Sequence, residues 1–146
     1  MIRQSIARRY AKGLFGVGEK DNQYKMYLEE IESLLGLFEK EEQLKKALML
    51  PLLEIGKRKE LLGDVMRALG MSPALSNMLS LLLEKNRMGY LPMIRDTYSD
   101  LVDEKEGKVR GTIWSAHPIE ESVKGLIEGV LRERLKKEVI LNIVED

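Results

Sequence analysis

The stretch PALSNMLSLLLEKNRMGYLPMIRDTYSDLVDEKEGKVRGTIWSAHPI, from Pro73 to Ile119, contains the change of period that decides the fold. Ser72 followed by Pro73 is a start signal, a capping side chain ahead of a proline that suits the first helical turn. Leu75, Met78, Leu79, Leu82 and Leu83 then recur at helical spacing, with Leu81 on a flank. The run stops at Asn86-Arg87. A second helix is expected from Tyr90 to Lys105 on Leu91, Ile94, Tyr98, Leu101 and Val102. At Glu106-Gly107 the period drops to two. Val109, Gly111, Ile113 and Ser115 alternate with Arg110, Thr112 and Trp114, which reads as a strand.

Working back from Pro73, four more helices are expected. From Ile2 to Gly18 one stripe is Ile6, Tyr10, Leu14 and Val17, and beside it lies Ala7, Ala11 and Phe15. Two adjacent stripes make a face too wide for one neighbour, so this helix should be contacted on two sides. Gly13 and Gly16 within it cost roughly 1 kcal/mol each relative to Ala, and close approach of another helix would compensate, either a neighbour within the bundle or a partner's helix. Asp21 is expected to cap a second helix whose stripe is Tyr24, Tyr27, Leu28, Ile31, Leu34, Leu35 and Phe38. A short third helix, Glu41 to Leu50, is stopped by Pro51. The fourth covers Gly56 to Leu69, with Leu61, Leu62, Val65, Met66 and Leu69 inward and Gly70 as its stop.

Working forward, His117-Pro118 breaks the strand. A seventh helix is expected on Val123, Leu126, Ile127, Val130, Leu131 and Leu135, and Lys137 to Val144 reads as a second strand. The fold class is therefore mainly α. A six-helix bundle over residues 1–105 precedes a partial α/β segment, strand–helix–strand, over residues 106–146. A two-stranded sheet is marginal alone, so this second domain is expected to be incomplete at its C-terminal end.

Composition narrows the function. Of the 146 residues, 44% are hydrophobic, enough for a core, and the 24 basic and 24 acidic residues cancel. Neutrality argues against a dedicated nucleic-acid binder, whose affinity rests on a basic surface. Without cysteine there is neither a disulfide framework nor a thiolate metal site. The longest apolar run, Ala47 to Leu53, falls far short of the roughly 20 residues of a membrane helix. No apolar signal core follows Arg3, Arg8 and Arg9.

No catalytic constellation emerges. His117 is the only histidine and has no nucleophile motif beside it, so it reads as a loop residue ahead of Pro118. The pairs Glu29-Glu30, Glu41-Glu42 and Glu120-Glu121 fall at solvent-facing or first-turn helical positions. Gly13, Gly16 and Gly18 follow no strand and precede no Gly-Lys-Ser/Thr, so they form no phosphate loop. Neither catalytic residue, metal ligand nor cofactor site is assigned. The basic residues Arg3, Arg8, Arg9 and Lys12 on the first helix suit a solvated face, a protein partner, RNA or a membrane surface.

With these elements in place, the chain resembles the delta subunit of F-type ATP synthases, whose mitochondrial counterpart is the oligomycin-sensitivity-conferring protein. The family opens with a pattern like A-R-x-Y-A-x-A-L-F, met here by Ala7, Arg8, Tyr10, Ala11, Leu14 and Phe15, with Gly13 where alanine is usual. Leu50-Pro51 matches the end of the third helix, and Lys57 or Lys59 a downstream lysine. The family's L-L-x-E-N-x-R-L is met by Leu82, Leu83, Asn86 and Arg87, with Met88 for the last leucine. Ser115-Ala116 and the strand ending Val144-Glu145-Asp146 also fit, but the Gly-rich segment, strand and helix that follow in the family are missing.

The resemblance implies a non-catalytic stator connector. In such a protein the bundle binds the N-terminal helix of an ATP synthase alpha subunit in a groove between the first and fifth helices. Ala7, Tyr10, Ala11 and Leu14 would serve on one side, and Asn77, Met78, Leu81 and Lys85 on the other. The second domain would meet the peripheral-stalk b subunit. Neither nucleic acid nor direct membrane insertion is implied; the place would be the cytoplasmic face of the inner (plasma) membrane, held peripherally through the complex. The alternative is an RNA-binding helical bundle of the transcription-antitermination kind, which would need a coherent basic face and steeply salt-dependent binding. A small helical enzyme is a third reading, disfavoured by the missing catalytic set.

Overall fold

A computed structural model describes residues 2–145; Asp146, included in the expected second strand, lies outside the described residues. In chain order the elements are α1 (Ile2–Asp21), α2 (Tyr24–Lys40), α3 (Glu42–Met49), α4 (Ile55–Leu69) and α5 (Pro73–Glu84). A 3-10 turn at Met88–Tyr90 leads into α6 (Leu91–Lys105), then β1 (Lys108–Ser115), α7 (Glu121–Leu135) and β2 (Glu138–Glu145). The chain divides into two compact units, the first closing at Leu101 and the second opening at Val102.

Within the first unit the apolar stripes meet as their spacing requires. Ile31 and Leu34 of α2, Leu75, Leu79 and Leu82 of α5, and Leu91, Ile94 and Tyr98 of α6 are all fully buried. Phe15 of α1 stands edge-on to both Tyr24 and Tyr98, at 5.7 and 5.6 Å between ring centroids. The Tyr98 hydroxyl donates to the Tyr24 carbonyl at 2.7 Å, so the one polar atom of this large side chain is satisfied. Burial pushes the Tyr98 phenol well above its ordinary range.

Both helix ends read from sequence around α5 are built as their chemistry demands. Ser72 caps α5, its hydroxyl accepting from the Leu75 N–H at 3.4 Å, with Pro73 in the first turn. Glu30, assigned from sequence to a solvent-facing pair, is half-buried instead. Its carboxylate accepts from the Ser72 N–H at 2.5 Å and from the Ser72 hydroxyl at 2.9 Å, tying α2 to the start of α5. At the other end Asn86 takes a left-handed conformation, φ 57°. The Arg87 N–H then reaches the Leu82 carbonyl at 2.7 Å and the Asn86 N–H reaches Leu83 at 3.1 Å, the paired closure of a Schellman end. Gly70 ends α4 in the same way, φ 63°.

Asp21 differs from the expectation. It is the last residue of α1 rather than a side-chain cap on α2. Its carboxylate accepts from the Gln23 N–H at 2.9 Å and from the Tyr27 hydroxyl. That hydrogen bond, with burial behind it, pushes the Tyr27 phenol up to about 12.

Gly13 and Gly16 of α1 have no compensating neighbour within the bundle. A Cβ added at Gly13 or Gly16 would meet nothing within 4 Å, so no helix of the bundle approaches them closely. Gly18 is the crowded one: a Cβ there would stand 2.7 Å from the Tyr24 Cα, where the chain reverses through Asn22. Gly16→Ala is therefore expected to stabilise the bundle by about 1 kcal/mol through helix propensity. Gly18→Ala should destabilise it by wedging α1 from α2. Urea melts of the two variants check the opposite signs.

On α4 it is Arg58, between the two lysines singled out from sequence, that is buried. Its Nε donates to the Leu53 carbonyl at 3.2 Å, while Nη1 has no partner. Lys59 stays exposed and pairs with Glu84 at 3.3 Å.

In the second unit β1 and β2 pair in parallel, from Lys108 opposite Glu138 to Ser115 opposite Glu145. The crossover through α7 is the connection a parallel pair needs. Val139 and Leu141 are buried. The Glu128 carboxylate of α7 accepts from the Leu141 N–H at 3.1 Å, satisfying a strand donor that the β1 ladder does not use. Of the expected α7 stripe, only Ile127 and Leu131 are half-buried; Val123, Leu126, Val130 and Leu135 are exposed. A sheet two strands wide covers one edge of that stripe and no more. Among the described residues no helix is long and apolar enough to cross a membrane.

Candidate helix-binding groove

Between α1 and α5 lies an open groove of about 480 Å³. On the α1 side it is lined by Arg9, Tyr10, Gly13, Leu14 and Val17; on the α5 side, by Ala74, Asn77, Met78 and Leu81. The spacing on α5 is one face of a helix, and on α1 it is the stripe Tyr10, Leu14, Val17 read from sequence. Leu14 and Met78 are nearly buried and form the floor, whereas Val17 and Leu81 stand at the rim, Leu81 with 40% of its surface exposed.

The two stripes of α1 thus separate. Ala7, Ala11 and Phe15 turn into the bundle core, and Ala7 and Ala11 have no exposed surface at all. Neither alanine lines the groove. Of the eight residues assigned from sequence, the structure brings five to this surface: Tyr10, Leu14, Asn77, Met78 and Leu81. Lys85 is exposed and caps the C-terminal end of α5, one turn beyond Leu81.

Tyr10 is held in place by a residue that sequence reasoning did not connect with it. Arg87 Nη1 donates to the Tyr10 hydroxyl at 3.0 Å, and its guanidinium carbon lies 6.0 Å from the ring centroid. The left-handed turn at Asn86 sends Arg87 back towards α1. The two sequence patterns that carried the resemblance, 77 positions apart, therefore meet at one side chain pair. Gly13, Val17, Ala74 and Arg9 complete the lining. Helical spacing from Tyr10 and Asn77 reaches Gly13, Val17 and Ala74; Arg9 belongs to the basic set of the first helix for which a protein partner was one reading, and of that set it alone lines the groove.

Chemically, the groove offers apolar surface with an amide and a guanidinium at its margins. His117 is exposed, and its backbone is tied to Ser115: the Ser115 hydroxyl donates to the His117 carbonyl at 2.6 Å and accepts from its N–H at 3.2 Å. Among the described residues no group of three or more His, Cys, Asp or Glu could hold a metal ion.

An open apolar trough between two helices has the form that helix-in-groove recognition uses. The family model for the ATP synthase delta (OSCP) subunit matches residues 6–146. The ATP synthase subunit delta of Desulfosudis oleivorans is 34% identical over 141 residues, covering 97% of this chain and 77% of the relative. That of Trichlorobacter lovleyi is 32% identical over 146 residues, covering 100% and 81%. A chain from the Toxoplasma gondii mitochondrial ATP synthase hexamer superposes with a TM-score of 0.67 at 24% identity, over 96% of this chain and 78% of that one. The chain belongs to the ATP synthase delta (OSCP) family, a non-catalytic component of the peripheral stalk of the membrane-associated F-type ATP synthase. This membership takes the place of the RNA-binding alternative.

Proposed function

We propose that this chain is the stator connector of its synthase, linking the peripheral stalk to the catalytic head in proton-driven ATP synthesis. The bundle holds the N-terminal helix of an alpha subunit in the groove between α1 and α5, and the second unit joins the b subunit of the stalk. It does so at the cytoplasmic face of the membrane, without inserting into it. The observation that carries this reading is the trough itself, in which Tyr10, Leu14, Asn77, Met78 and Leu81 converge as one helix-sized surface. Ala7 and Ala11 support it from beneath, as core residues that fix the orientation of α1, and Lys85 extends the α5 row beyond Leu81.

The mechanism is binding. Apolar contacts in the trough supply affinity, and slow dissociation keeps the head from turning with the shaft. Arg87 donates to the Tyr10 hydroxyl, and a wall restrained before docking lowers the ordering cost when the helix binds. Co-purification tests the reading: tagged chain should recover the alpha and beta subunits of the synthase head from its host's lysate. Recovery without head subunits would overturn it.

A further inference from the structure

We infer that the groove selects an acidic amphipathic helix, recognised along its flank by Arg9 and Lys12 of α1; this rests on the groove reading above. Between Ile2 and Val17 the first helix carries Arg3, Arg8, Arg9 and Lys12 and not one acidic residue, and α5 is uncharged from Pro73 to Leu83. Since the whole chain is neutral, the remainder is correspondingly acidic and this edge stands out in sign. Arg9 lines the groove and Lys12 lies three positions on, so the two share the outer side of the same helix. Neither has a carboxylate partner among the described residues. Arg3 sits over the Tyr90 ring at 5.9 Å instead. The carboxylate nearest the far end of the α5 row, Glu84, is engaged by Lys59, and Lys85 leaves that end positive as well.

Gly13 and Gly16 supply the geometry. They follow Arg9 and Lys12 by one turn each, and open space stands where their side chains would be. A docked helix can therefore bring its backbone close to α1 at this edge, within reach of both cations. Partial exclusion of water there strengthens each charge pair relative to the open surface. Helices with basic flanks would be repelled, so the same residues reject as well as select.

Two synthetic peptides test this, each with leucines at helical i, i+3, i+4, i+7 spacing and differing only in glutamate or lysine on the flanks. Fluorescence anisotropy should show the glutamate peptide binding at least about tenfold tighter at about 50 mM salt, with the gap shrinking at about 500 mM. Exchanging Arg9→Glu together with Lys12→Glu should reverse the preference while leaving helicity unchanged. Equal affinity for the two peptides, both weakened by Leu81→Asp, overturns the acidic preference and leaves the groove reading standing. A glutamate preference that survives the double exchange overturns the role of Arg9 and Lys12. Failure of both peptides and of an alpha-subunit N-terminal peptide to bind overturns the preference and the groove together.

Discussion

Leu81→Asp is expected to weaken binding of an alpha-subunit N-terminal peptide by more than tenfold while far-UV helicity stays at the parent value. Leu81 stands on the α5 rim of the groove, 40% exposed, between the fully buried Leu79 and Leu82. In the free chain an aspartate there keeps its carboxylate in water, at the cost of one partly buried leucine. Once a helix docks, that carboxylate is covered by apolar surface. Desolvating it costs at least a few kcal/mol, and about 1.4 kcal/mol already makes a factor of ten. Leu82→Asp is the contrasting control, since a charge at that fully buried position should unfold the bundle. Unchanged peptide affinity in Leu81→Asp would move the groove elsewhere. Loss of helix in that variant would make Leu81 an ordinary core residue.

The bundle was legible because its helices carry regular stripes between explicit start and stop signals. The stripe of α5 is the clearest case: each of its five expected inward residues is buried and Leu81 is left at the rim. What a stripe cannot say is which neighbour it meets. The two stripes of α1 announced two contacts, but the assignment of Ala7 and Ala11 to the core and of Tyr10 and Leu14 to the groove needed the packing of α2 and α6 around Phe15. Polar pairings over long separations were likewise hidden. Glu30 reaching Ser72 and Arg87 reaching Tyr10 follow from how the helices are placed, not from any local pattern. Arg58 was missed because burial of an arginine runs against its usual exposure, and nothing around it in sequence signals otherwise. For the glycines of α1, spacing leaves a bundle neighbour and a partner's helix equally open; within the bundle the close approach belongs to Gly18, set by the left-handed Asn22 turn that brings Tyr24 onto it, while Gly13 and Gly16 face open space.

Amide exchange should divide the chain sharply, with protection in β1, α7 and β2 at least about a hundredfold below that of the cores of α2 and α5. The cause is the unequal burial of the two units. The bundle buries complete side chains from all six of its helices, and its amides exchange only through large, cooperative openings. In the strand–helix–strand unit the sheet is two strands wide, α7 buries no residue fully, and Leu126 and Val130 are 70% and 62% exposed. Little apolar surface is lost when this unit opens locally, so its openings should be frequent. A hundredfold ratio corresponds to about 2.7 kcal/mol between the two opening free energies, a modest demand given that difference in cores. The Leu141 N–H, held by Glu128, should be among the slower amides of its unit, and Glu128→Ala should speed its exchange. Hydrogen–deuterium exchange with peptide-level mass spectrometry, on a sample shown by light scattering to be monomeric, reads this directly. Pairing of the open strand edges in a second copy would protect β1 and β2 only in an oligomer. Uniformly slow exchange across both units of the monomer would show that the second unit is far more stable than its small core implies.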